Sequence, residues 1–103
     1  MTDNTQASMK KMIASLWERN QPQVLERLAL LDQAATEPLT APLKQEAAAI
    51  AHKLAGSVGM FGFHEGTRVA RELEQHLETE SPNPAHIKTL TAALREALFP
   101  TQT

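Results

Sequence analysis

Cysteine and tyrosine are absent from this 103-residue sequence, and glycine is rare, with four in all. Without cysteine there is no disulfide, no thiolate metal site and no cysteine nucleophile, which favours an intracellular compartment. Three phenylalanines and one tryptophan are the only aromatic residues. Valine and isoleucine are also few, which argues against a β-sheet protein. No charge of one sign dominates: 10 Lys and Arg stand against 12 Asp and Glu, for a net charge of -2. The two signs are mixed along the chain, so there is no basic patch for nucleic acid and no polybasic membrane anchor. No apolar run approaches bilayer length. The opening M-T-D-N-T-Q-A-S lacks the apolar core of a signal peptide. These exclusions predict a soluble, cytoplasmic protein that binds neither nucleic acid nor membrane.

What is present is alanine and leucine, within a hydrophobic fraction of 42%. That balance, at a length suited to one domain, predicts an all-α fold. Five helical segments are bounded by recognisable breakers. The first spans about Thr5 to Arg19, with Met9, Met12, Ile13, Leu16 and Trp17 on one face. Asn20, Gln21 and Pro22 interrupt it, with Asn20 able to cap the next helix. That second helix runs to about Ala35 and buries Val24, Leu25, Leu28 and Leu31. Thr36–Pro42 reads as a loop, and Thr40 caps a third helix that weakens at glycines 56, 59 and 62. A fourth runs from about Phe63 to Glu80 with Gly66, Val69, Ala70, Leu73 and Leu77 inward. After Ser81–Pro84 a fifth spans Ala85 to Leu98, burying Ile87, Leu90, Leu94 and Leu98. Short loops favour antiparallel neighbours. The expected fold is an antiparallel up-down four-helix bundle with an additional short N-terminal helix. Residues 1–103 form a single helical domain, with about 1–6 and 100–103 as flexible tails. The starting methionine and polar ends favour a free-standing protein, expected to be a monomer.

One histidine stands out. Leu43, Ile50, Leu54, Val58 and Phe61 recur at helical spacing and define the buried stripe of the third helix. His52 lies two residues past Ile50, about 200° around the helix. Its neighbours on the outer face, including i±3 and i±4, are Ala48, Ala49, Ala55, Gly56 and Gly59. A solvated helix face normally carries Glu, Lys and Gln, and glycine inside a helix costs about 0.5–1 kcal/mol relative to alanine. An imidazole in such a clearing reads as a group presented to a partner, with Gln45, Ala48, Ala49, Ala55, Gly56 and Gly59 as the docking surface. Against this stands the ordinary reading of a surface histidine as a solvated polar group.

Gly62 marks the turn to the fourth helix. His52 lies ten residues before it and Glu74 twelve after. In antiparallel helices both sit at similar height, so Glu74 can accept a hydrogen bond from Nδ1–H and leave Nε2 as the nucleophile. The plain alternative is that Glu74 is an ordinary surface carboxylate.

The stretch A-H-K-L-A-G-S-V-G-M-F-G-F, Ala51–Phe63, resembles the signature of histidine phosphotransfer (HPt) domains, matching at His52, Gly56, Ser57 and Gly62. A-R-E-L-E, Ala70–Glu74, is similar to the family's small-x-x-Leu-Glu stretch on the following helix. The resemblance covers the last two thirds of the chain. It implies that His52 accepts a phosphoryl group from a receiver-domain aspartate and donates it to another, without independent catalytic activity. The implied partners are receiver domains of response regulators or a hybrid sensor histidine kinase. No cofactor or metal is expected on this chain, Mg²⁺ being brought by the receiver. One position departs from the pattern: Ala55 stands where the family usually has lysine. Lys53, about 100° away around the helix, and Arg71 from the next helix are the cations expected to support the site.

Three other readings compete. A helical adaptor would use the same small-residue face, with His52 incidental. A metal site could form where His76 has Glu72 and Glu80 at i±4, but no H-E-x-x-H motif is present. A hydrolase lacks a nucleophile–base pair, since Ser57 is five residues from His52 and turned toward the core edge.

Overall fold

The computed structural model describes residues 2–100, with side chains from Gln6 onward. Met1 and 101–103, which belong to the tails expected from the sequence, lie outside the described residues. Among the described residues there are four helices and no strand: α1 (Thr2–Thr36), α2 (Ala41–Met60), α3 (His64–Leu77) and α4 (Pro84–Leu98). Each helix packs on the next in sequence, and α4 closes the ring on α1. No helix among them is long and apolar enough to cross a membrane.

Side chains at the helix ends set the boundaries. Thr40 caps α2, its hydroxyl accepting from the Leu43 N–H at 3.2 Å, with Pro42 in the first turn. Asn83 caps α4 by accepting from the Ala85 N–H at 2.9 Å, and Pro84 follows it. Both arrangements satisfy a backbone donor that the first turn leaves open, and place proline where no donor is needed. Between α2 and α3 the chain turns through Gly62, whose φ of 87° is a conformation that a Cβ disfavours.

The N-terminal half departs from expectation. The additional short helix is not a separate element: α1 is continuous for 35 residues with Pro22 inside it. Asn20 does not begin a new helix; its side-chain amide donates to the Leu16 carbonyl at 2.7 Å. At about 1.5 Å per residue α1 is roughly 52 Å long, which accounts for the molecule's 54 Å long axis. Its first turns therefore extend past the bundle, and Met9, Met12, Ile13 and Leu16 of its apolar face are exposed. Trp17 is where α1 regains the bundle: its ring meets Phe61, Phe63 and Phe99, at centroid distances of 5.4, 4.7 and 5.4 Å. Farther along, Val24, Leu28, Leu31 and Ala34 are buried while Leu25 is exposed.

The core lies among all four helices. From α3 it takes Gly66, Val69, Ala70, Leu73 and Leu77, and from α4 Ile87, Leu90, Leu94 and Leu98, all at the expected positions. Each buried leucine or isoleucine contributes about 1.5–3 kcal/mol relative to an exposed one. On α2 the buried residues are Ala47, Ala51, Leu54, Ala55 and Val58. That stripe is rotated by roughly 50° from the one defined by the bulky residues, and Leu43, Ile50 and Phe61 are only partly buried. Alanine is the reason: it carries little weight in a periodicity count, yet it lines the side of α2 that packs closely on α3.

Candidate functional site

The rotation of α2 puts His52 on the flank next to α3 rather than opposite the core. The imidazole remains open, with 75% of its side chain exposed. Its Nδ1 lies 2.9 Å from Oε2 of Glu74, which is four-fifths buried. Three features produce this meeting. The Gly62 turn reverses the chain with near-equal arms, the small residues of α2 admit α3, and Leu73, fully buried, fixes the rotation of α3 that turns Glu74 to the groove edge. A carboxylate only accepts, so Nδ1 is the nitrogen that carries hydrogen and donates to Glu74. In the neutral imidazole Nε2 then holds its lone pair on the far side of the ring, away from Glu74.

Beside the ring is a hollow of about 240 Å³ lined by His52, Ala55, Gly56, Arg71, Glu74 and Gln75. Gly56 lies one turn along from His52, and a Cβ built there has nothing within 4 Å. The space over that part of α2 is open to another molecule. Gln45, Ala49 and Gly56 are exposed on this face, as the sequence reading requires. Three other residues assigned to it are not. Ala55 is buried at 6% exposure and Ala48 is packed against the core. Gly59 faces α3, where a Cβ would stand 3.0 Å from the Thr67 hydroxyl. The glycine admits the close approach of α3. All three sit on the α3 side because the core stripe is turned that way.

Of the two expected supporting cations, Arg71 lines the hollow with His52 and Lys53 does not. Lys53 is exposed on the other flank of α2. Gln75 was not singled out from the sequence, although its place four residues after Arg71 puts it on the same face. Arg71 and Gln75 also line a larger neighbouring hollow of about 480 Å³ with His64, Thr67, Arg68 and Glu72. There Arg68 donates to both Glu65 and Glu72. The Arg68 hydrogen bond holds the Glu65 carboxyl below its ordinary range, and Glu65 raises Arg68 in return.

The remaining histidines are placed differently. His76 Nε2 accepts from the Asn83 N–H at 2.9 Å, and its ring meets His86 edge-on at 4.5 Å. It thus secures the α3–α4 connection, and no three His, Asp or Glu side chains converge on a metal-sized site among the described residues. Ser57 donates weakly to the Leu54 carbonyl at 3.5 Å, within its own helix.

The family model described as Hpt domain matches residues 15–98. The chain is similar to Protein RcaC of Microchaete diplosiphon, with 38% identity over 88 residues. That alignment covers 78% of this chain and 14% of RcaC, so the chain spans about a seventh of its relative's length. No solved structure matches it.

Proposed function

This chain belongs to the Hpt domain family, the phosphocarriers of two-component signalling, and from that premise we propose that His52 is its phosphoryl-accepting residue, taking the group from a receiver-domain aspartate and passing it to another. The observation that carries the reading is the 2.9 Å hydrogen bond from Nδ1 to Glu74 beside an unobstructed Nε2. The Nε2 lone pair attacks the phosphorus of an aspartyl phosphate. The bond between phosphorus and the aspartyl oxygen breaks, and the aspartate leaves as a carboxylate. The ring becomes cationic without gaining a proton, and Glu74 faces that new charge through Nδ1–H. Onward transfer reverses these steps on a second aspartate.

Phosphoryl transfer depends on in-line approach and on neutralising charge at the moving group. The open ground over Gly56 lets the receiver's acidic pocket close on the ring. Mg²⁺ belongs to the receiver in this scheme, and the carrier contributes the nucleophile, its orientation and the surrounding space. Gln45, Ala49 and Gly56 form the docking face, while Ala55, Ala48 and Gly59 act behind it by bringing α3 close.

The test is labelling from a phosphorylated receiver at short times. His52→Gln is expected to abolish it with the fold intact. Retained labelling would refute the assignment, and a His52→Ala protein that keeps its full biological activity would favour an adaptor role instead.

A further inference from the structure

A phosphoryl group on His52 brings two negative charges to a hollow that already holds the Glu74 carboxylate, and the one positive charge of the phosphorylated ring is the charge that Glu74 faces. The phosphoryl oxygens are therefore left without a partner charge on the ring side, and a cation within reach would stabilise them. On the α3 side, α2 offers none, since the position one turn past His52 is the buried Ala55. Lys53 projects from the opposite flank. Arg68, the next basic residue on α3, is committed to Glu65 and Glu72. Arg71 lines the hollow with His52, is exposed, and forms no ion pair among the described residues.

We propose that Arg71 is the positioning residue for the phosphorylated state: its guanidinium swings onto the phosphoryl oxygens of phospho-His52 from α3. This rests on His52 being the accepting residue. A guanidinium suits the task because its planar fork can hold two phosphoryl oxygens at once and keeps its charge at any working pH. Its stem starts on the helix that carries Glu74, so one element positions both the group that faces the ring and the group that faces the phosphoryl. Gln75, on the same face, lines the remaining wall.

The test uses the full chain charged with phosphoramidate, which phosphorylates histidine without any protein partner. Phosphorus transfers from the amine nitrogen to the imidazole and ammonia leaves. At a fixed ratio of phosphoramidate to ammonium, ³¹P NMR reads the plateau ratio of phosphorylated to free His52. Arg71→Ala is expected to lower that ratio by about 3- to 10-fold, the effect of losing a partly exposed charge-assisted pair. Lys53→Ala should leave it unchanged, and Arg71→Lys should retain part of it. In ¹⁵N-arginine-labelled protein the Arg71 Nε–H signal should shift on charging while that of Arg68 stays. Adding Ala55→Lys to Arg71→Ala should restore the ratio by delivering a cation from α2. An unchanged ratio in Arg71→Ala, or a loss in Lys53→Ala alone, overturns the proposal. A signal that survives in His52→Gln at full intensity instead removes the premise, so the two failures are distinguishable.

Discussion

His52 and Glu74 are 22 residues apart in the chain and 2.9 Å apart in space, Nδ1 to Oε2. The separation is bridged by a single turn at Gly62, so small errors in helix rotation on either side would part them. The pair therefore reports how accurately α2 and α3 are registered, and in the neutral ring a hydrogen bond from Nδ1 to the carboxylate leaves the lone pair on Nε2.

If Glu74 fixes the tautomer, removing it releases the hydrogen to either nitrogen. Glu74→Ala should shift the imidazole ¹⁵N resonances of His52 toward a mixture of tautomers. Phosphoryl acceptance should slow by about tenfold, since both the orientation and the protonation pattern of the nucleophile are lost. Glu74→Gln keeps an acceptor without the charge and should fall between. A Glu74→Ala protein with wild-type tautomer and rate would show that the carboxylate is incidental.

Gly56 opposes stability and access. A methyl there meets nothing within 4 Å, and alanine gains about 0.5–1 kcal/mol over glycine inside a helix. Gly56→Ala should thus be more stable to urea by about that amount. Gly56→Leu should also fold, but its side chain rises one turn from His52 into the docking space, and transfer from a receiver should fall steeply. Phosphorylation by phosphoramidate should persist in the same variant, because a small donor does not need the clearing. Unchanged receiver transfer would remove the steric argument.

The legible parts of the molecule are those where side-chain size and position agree. The register of α3 and α4 is written in Leu73, Leu77, Ile87, Leu90, Leu94 and Leu98, and all of these are buried. Thr40 and Asn83–Pro84 mark helix starts through hydrogen bonds that the structure contains. Counting outward from Gly62 was enough to pair His52 with Glu74. The facing of α2 was less legible because Ala47, Ala51 and Ala55 define its core side without the hydrophobic contrast that bulky residues provide. The same ambiguity hid the contact of Gly59 with α3, where a Cβ would crowd the Thr67 hydroxyl. Pro22 read as a break, but a proline forbids only its own donor and crowds one carbonyl, and α1 tolerates both.

That tolerance has a measurable cost. Pro22 lies in the interior of α1, where its missing N–H leaves the Glu18 carbonyl without its helical partner. Proline is about 3 kcal/mol less favourable than alanine in a helix interior. Pro22→Ala should therefore raise stability by about 1–3 kcal/mol in urea denaturation, the lower end applying if α1 has already relaxed around the ring. The single tryptophan, packed among three phenylalanines where α1 joins the bundle, provides the fluorescence signal. Absence of any gain would mean that the helix does not run through this position in solution.

Among the described residues Thr91 is the one polar residue in the core, with none of its surface exposed and no hydrogen-bond partner for its hydroxyl. It sits on α4 among Ile87, Leu90 and Leu94, whose side chains offer nothing to bond. A buried hydroxyl without a partner costs about 1–3 kcal/mol in desolvation. Thr91→Val exchanges the hydroxyl for a methyl of similar size and should stabilise the fold by about 1 kcal/mol. Thr91→Ser keeps the hydroxyl, loses the methyl and should destabilise by a similar amount. Transfer through His52 should not change in either variant, because α4 packs on α1 and α3 and the nucleophile is on α2. A destabilised Thr91→Val protein would show that the hydroxyl is bonded in solution, most simply to a carbonyl one turn earlier in its own helix.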